Sequence, residues 1–205
     1  MKKIKGINKL IDNRFLKFYQ IDANTRMGRS FDYYFVSRND AENLKINTGK
    51  MDAEGIVVYA VTKEENPRLL LIKEYRYPID DMVYALPAGL VDAGETLGEA
   101  AVREVQEETG YTFEEYTGGD SCFRRSFLMG PGYTDEAGAA VFGYVDLEIC
   151  KQECEDTEEI EVILADKKMV RKILSEEKVS LRAAYLMMMY LNTDDSNPFD
   201  FLELN

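Results

Sequence analysis

The 205-residue chain contains no histidine. That absence removes every mechanism built on an imidazole: Ser–His and Cys–His pairs, and His-rich zinc sites. Acid–base chemistry must come from Asp, Glu, Lys or Tyr. Cysteine is scarce as well. Cys122, Cys150 and Cys154 are odd in number and lack paired spacing, which fits reduced thiols in the cytoplasm rather than a disulfide framework. Cys150 and Cys154 stand four apart, but nothing around them completes a metal site. No apolar run approaches the ~18 residues of a spanning helix. The basic opening "MKKIKGINKLIDNRF" is not followed by an apolar stretch, so no signal peptide is expected. Internal repeats are also absent.

What the chain does have is negative charge. Its net charge is −13, with 31% charged residues. Such a surface repels nucleic acid and anionic membranes, so neither is an expected partner. It would repel a polyanionic substrate too, unless cations accompany it. The hydrophobic fraction, 45%, suffices for a core, and the length suits one medium domain, or a domain with a smaller appended unit.

The patterning sets the organisation. "FLKFYQIDA" (15–23) and "SFDYYFVSR" (30–38) are strand-like around the turn "NTRMG", which predicts a β-hairpin. A polar connector follows, with a short strand expected at 44–48. Further strands are expected at 55–61, 68–75, 82–89, 121–128, 139–148 and 161–166. Helices are expected at 96–109, 167–176 and 180–192. The methionines of "SLRAAYLMMMYLN" read as core. The acidic tail 193–205 reads as loose, with Phe199, Phe201 and Leu202 able to dock. Strands and helices interleave without a regular βαβ rhythm, which favours an α/β sandwich. The expected division is an N-terminal β-sheet subdomain at 1–50, a main domain at 51–192 and the tail.

The most informative stretch is "GLVDAGETLGEAAVREVQEETGY", residues 89–111. Thr96 followed by Glu99 forms a capping box, and Gly110 stops the helix. At ~100° per residue, Leu97, Ala101, Glu104 and Glu108 fall on one side, with Glu107 beside Glu104. An acidic helix usually has a solvated face, but here two carboxylates share the apolar side. One turn apart beside a core, they repel unless a cation sits between them. Oxygen ligands of this kind suit Mg²⁺ or Mn²⁺. Arg103 and Glu107 can pair at i, i+4. The preceding glycines let the backbone approach a ligand closely.

Gly89, Glu95, Arg103, Glu104, Glu107, Glu108 and Gly110 together resemble a Nudix box, G-x5-E-x7-R-E-U-x-E-E-x-G-U with U a bulky apolar residue. Tyr111 departs mildly at the final position. The resemblance implies a Nudix-type α/β/α sandwich with a mixed sheet and a hydrolase of nucleoside diphosphates linked to another moiety. It implies that Glu104 and Glu108 bind metal with Glu107 assisting, and that the Ala88 carbonyl joins them. Gly89, Glu95, Arg103 and Gly110 would support the loop–helix geometry.

The flanks resemble the ADP-ribose pyrophosphatase subfamily, and the likeness spans about residues 10–192. Pro131 in "SFLMGPGYTDE" matches its proline, and Arg76 in "LIKEYRYP" matches the arginine that grips the diphosphate. In that subfamily a small N-terminal sheet swaps across a homodimer and its aromatics sandwich the adenine. Phe15 and Tyr33 are the nearest matches, and Arg38 would reach a phosphate. The catalytic base comes from an acidic loop matching "ECEDTEEIEV". Asp156 and Glu158 are the candidates there, one as base and one as a further metal ligand, with Glu136 as an outside candidate. The implied reaction is Mg²⁺-dependent hydrolysis of ADP-ribose to AMP and ribose 5-phosphate. GDP-mannose or another nucleotide sugar is the alternative substrate. A sensor that binds ADP-ribose without cleaving it is a further alternative, but such proteins usually lose box acids and carry a DNA-binding appendage.

Overall fold

A computed structural model describes residues 3–149, 151–154 and 157–204. The chain divides into two compact units, Met1–Glu54 with Ser126–Gly138, and Gly55–Arg125 with Ala139–Asn205.

The first unit is built on an antiparallel sheet of β1 (Ile4–Asp12), β2 (Lys17–Asn24) and β3 (Ser30–Ser37), in that order. The expected hairpin is β2–β3. Its turn is closed by the Thr25 N–H on the Arg29 carbonyl, with Gly28 at a positive φ of 81°. Tyr19, Phe35 and Leu44 form a small core, with the Tyr19 and Phe35 rings stacked at 5.3 Å. Leu44 anchors the connector. The segment expected as a strand at 44–48 is instead a single helical turn, α1 (Lys45–Thr48), ended by Gly49 in the left-handed region. In the loop 129–136 of this unit, the Tyr133 carbonyl accepts the Val36 N–H at 2.8 Å.

The second unit is a sheet with helices on both faces. Its strands are β4 (Gly55–Thr62), β5 (Leu69–Arg76), β6 (Asp81–Ala85), β7 (Ala88–Leu90), β8 (Tyr111–Glu115), the long β10 (Ala137–Ile149) that enters from the first unit, and β11 (Ile160–Ala165). The order is β11-β5-β4-β10-β8, with β6 paired to β5 and β7 to β4. β9 (Phe127–Leu128) pairs with the start of β10 in the first unit. Strand alternation divides the core. Ile56, Val58, Ala60 and Leu70 pack under α2 (Leu97–Thr109) against Ala101 and Val105. Tyr59, Val61, Leu69 and Leu71 point the other way, toward α3 (Lys167–Glu176) and α4 (Leu181–Asn192). Full burial of each large side chain contributes roughly 1.5–3 kcal/mol. This is the expected α/β sandwich with its mixed sheet.

Three further expectations change. Residues 121–128 are not one strand: Asp120 accepts the Cys122 N–H at 2.8 Å and turns the chain into a 3-10 helix at Ser121–Arg124. The tail is docked rather than loose, because Phe199 and Leu202 are buried against Tyr59, Tyr116 and Phe142. Of the three consecutive methionines only Met187 is core; Met188 and Met189 face solvent. Among the described residues no helix is long and apolar enough to cross a membrane.

Candidate active site

α2 begins and ends as its sequence requires. The Thr96 hydroxyl accepts the Glu99 N–H, the Glu99 carboxylate accepts the Thr96 N–H, and Gly110 closes the helix at φ 72°. Arg103 ties the helix to the loop before it. Its guanidinium donates to both Glu95 oxygens at 3.0 and 2.9 Å and to the Leu90 carbonyl at 2.9 Å. It also reaches Glu104 at 2.7 Å and Glu107 at 3.2 Å. The bonds to Glu95 are the main reason the Arg103 pKa is raised, and the same bonds hold Glu95 below the ordinary carboxylate range.

Beneath this lattice lies a group of carboxylates in costly surroundings. Glu108 is 5% exposed. Burial pushes its pKa up to about 9, and the charges of Glu104, Glu74 and Glu158 add to the shift despite a hydrogen bond from the Ala88 N–H. Burial also raises Glu104, against the opposing pull of Arg103, and raises Glu74, against Arg76. The backbone at Gly89 runs against Glu104: a Cβ there would lie 1.8 Å from Glu104 Oε1. Oxygen donors in a low-dielectric region, with Glu158 raising Glu74, Glu104 and Glu108 alike, are what a hard divalent cation relieves. The donor chemistry therefore fits a metal, with Glu104, Glu108 and the Ala88 backbone as holders. In the present arrangement Glu104 is engaged by Arg103, and among the described residues no three His, Cys, Asp or Glu side chains are grouped to hold an ion.

Arg76 and Glu158 line one cleft of about 350 Å³, with Glu74, Tyr77, Thr157 and Glu159. A larger hollow, about 580 Å³, lies over the outer side of α2 and is lined by Arg103 and Glu107, while Glu104 and Glu108 line neither this hollow nor the smaller cleft. Asp156 lies outside the described residues. The other candidates are in the first unit. Phe15 is exposed beneath the Arg14 guanidinium, and the partly exposed Tyr33 donates its hydroxyl to the Gly132 carbonyl at 2.5 Å. Arg38 is bonded to Glu136 at 2.6 Å, and Pro131 is exposed in the adjoining loop.

Two features escaped the sequence reading. Glu74 is a nearly buried carboxylate bonded to Arg76; its position two residues before Arg76 on a strand was the available signal. Residues 152–154 satisfy the end of α2: Gln152 Nε2 donates to the Glu108 carbonyl at 2.6 Å and the Glu153 N–H to the Glu107 carbonyl at 2.8 Å. Nothing in the local pattern marks that contact.

The NUDIX domain family matches residues 51–162. A Caenorhabditis elegans protein named nudix hydrolase 2 is 31% identical over 76% of this chain and 68% of its own length. An ADP-ribose pyrophosphatase of Bacillus subtilis is 29% identical over 77% of this chain and 83% of its own. An ADP-ribose pyrophosphatase of Saccharomyces cerevisiae is 34% identical over 50% of this chain and 43% of its own. A crystal structure of an ADP compounds hydrolase superposes with a TM-score of 0.67 at 20% identity, covering 90% of this chain and 89% of that one, which is a likeness of fold.

Proposed function

This chain belongs to the Nudix family, and from that premise we propose that it hydrolyses the diphosphate of ADP-ribose to AMP and ribose 5-phosphate with a divalent cation. The observation that carries the chemistry is Glu108: a carboxylate buried at the end of a helix, with Glu104, Glu74 and Glu158 raising it further, is poised for a cation. The relatives named ADP-ribose pyrophosphatase support the choice of substrate.

In this reading Glu104, Glu108 and the Ala88 carbonyl would hold Mg²⁺ or Mn²⁺, with Glu107 assisting. The bound cation would neutralise diphosphate charge and acidify the attacking water. Arg76 pairs with a phosphate oxygen of the substrate. Glu158 takes the proton of the water, whose oxygen bonds to one phosphorus as the bridging P–O bond breaks. The other phosphate leaves with its half of the molecule. Arg103, through Glu95 and Leu90, keeps the loop and the helix in register during this exchange. Phe15 and Tyr33 are the stacking faces for the adenine, supported by their exposure, with Arg38 reaching a phosphate and Pro131 contacting the substrate in the same proposal. The sheet of residues 1–50 is the homodimer element in the same proposal, and the cytoplasm is its setting.

The test is a substrate panel with Mg²⁺: ADP-ribose, GDP-mannose, UDP-glucose, NADH and diadenosine polyphosphates, with products identified by chromatography. Preferential release of AMP from ADP-ribose is expected. Preference for GDP-mannose would refute the adenine assignment and keep the chemistry, and binding without turnover would refute the enzyme reading. Glu158→Gln in the same assay separates Glu158 from Asp156 as base.

A further inference from the structure

Arg76 is not free to point where it pleases. It closes β5, whose backbone is paired on both sides at Glu74, to Ile160 of β11 and to Val83 of β6. With that backbone fixed, residues 70, 72, 74 and 76 share one face by strand parity. Leu70 is packed under α2 and Ile72 is buried, so this row runs from the core beside the box helix into the cleft. Glu74 is the third member. Its side chain is 11% exposed, whereas that of Arg76 is 52% exposed, and the two are hydrogen-bonded through Arg76 Nη2. A nearly buried carboxylate beside other carboxylates raises the cost of the fold unless it serves a partner. Its hydrogen-bond partner among the described residues is the guanidinium at the mouth of the cleft, and the charge of Arg182 also favours its ionised form.

We propose that Glu74 is a positioning residue: it fixes one edge of the Arg76 guanidinium so that the remaining donors face the diphosphate of a bound nucleotide sugar. This rests on the reading of Arg76 as the phosphate grip. A long, half-exposed arginine without such an anchor would have to be ordered by the substrate itself, at a cost in affinity. The effect should therefore fall on substrate binding and not on the chemical step.

The experiment is a double-mutant cycle in the full chain with Mg²⁺ and ADP-ribose. Glu74→Gln is expected to raise KM about tenfold and leave kcat within about twofold. Glu74→Asp, which keeps the charge but withdraws it by one methylene, should do the same. In an Arg76→Ala background Glu74→Gln should add nothing. Equal effects in both backgrounds, a fall in kcat at constant KM, or a change in the Mg²⁺ concentration required would each overturn the proposal; the last would make Glu74 part of the metal site. Calorimetric binding of inorganic pyrophosphate reads the same cycle without turnover. If the wild type cleaves no nucleotide sugar yet the pyrophosphate cycle shows the coupling, the functional reading fails and this proposal stands. Absence of coupling in both readouts refutes it.

Discussion

Replacing Glu108 with glutamine should stabilise the metal-free protein while removing its activity. Most substitutions of buried residues do the reverse. Glu108 is 5% exposed, and its pKa is pushed from 4.5 up to about 9 by burial first and by Glu104, Glu74 and Glu158 next. At pH 7 the folded protein keeps a proton that the unfolded chain has released. A raised folded pKa means that the stability is fully present below about 4.5 and is lost as the pH rises toward about 9. At pH 7 the loss corresponds to 7 − 4.5, about 2.5 pH units, or roughly 3 kcal/mol. Glutamine is neutral and nearly isosteric, and its carbonyl can still accept the Ala88 N–H. Glu108→Gln should thus be more stable by up to about 3 kcal/mol at pH 7 in EDTA, with the gain growing toward pH 9. Urea denaturation from pH 4 to 9 measures it, and ADP-ribose turnover with Mg²⁺ should drop by orders of magnitude in the same variant. A variant less stable than wild type at pH 7, with the same pH slope, would refute the reasoning.

Three further substitutions probe separate parts of the account. Gly89→Ala puts a methyl 1.8 Å from Glu104 Oε1 and must displace that carboxylate; kcat/KM should fall about 100-fold with the melting temperature near wild type, and unchanged kinetics would discount the close approach. Glu54 is partly buried, which alone would raise its pKa, but the Ala137 N–H, Lys45 and Asn39 outweigh burial and lower it. Its stabilisation is present above the ordinary value of 4.5 and is lost as pH falls through the lower folded value, so Glu54→Gln should cost about 1–3 kcal/mol at pH 7 and flatten the acid limb of the stability curve. Parallel acid curves for variant and wild type would contradict this. Phe199→Ala should cost about 3–5 kcal/mol, because its ring is buried and stacks on Tyr116 at 4.4 Å; a loss below about 1 kcal/mol in denaturant titration would mean the tail is not docked.

Legibility in the sequence followed the range of the interactions. α2 was readable to within a residue because its cap, stop and apolar face are all local. The β2–β3 hairpin was readable from its turn. β1 was missed because most of its residues are exposed, so Ile4–Asp12 carries little apolar alternation. Residues 121–128 were misjudged because one side chain, Asp120, captured a backbone N–H and redirected the chain. The docking of Phe199 and Leu202 depends on rings far away in sequence, which no local pattern reveals. The same division holds at the site. The box acids announced themselves by spacing, whereas Glu74 had only its place two residues before Arg76 as a signal, and its burial and bond to Arg76 showed once β5 was flanked on both sides. Gln152 meets the Glu108 carbonyl across 44 residues and had no signal at all.

The central claim is hydrolysis of a nucleoside diphosphate sugar at the carboxylate cluster of α2. The most direct measurement is mass spectrometry of the products formed from ADP-ribose in ¹⁸O-enriched water, with Mg²⁺ and with EDTA. The account predicts AMP and ribose 5-phosphate in equal amounts, a single ¹⁸O in one of the two, and no products in EDTA. Intact ADP-ribose under both conditions, or cleavage that proceeds equally well in EDTA, would contradict it.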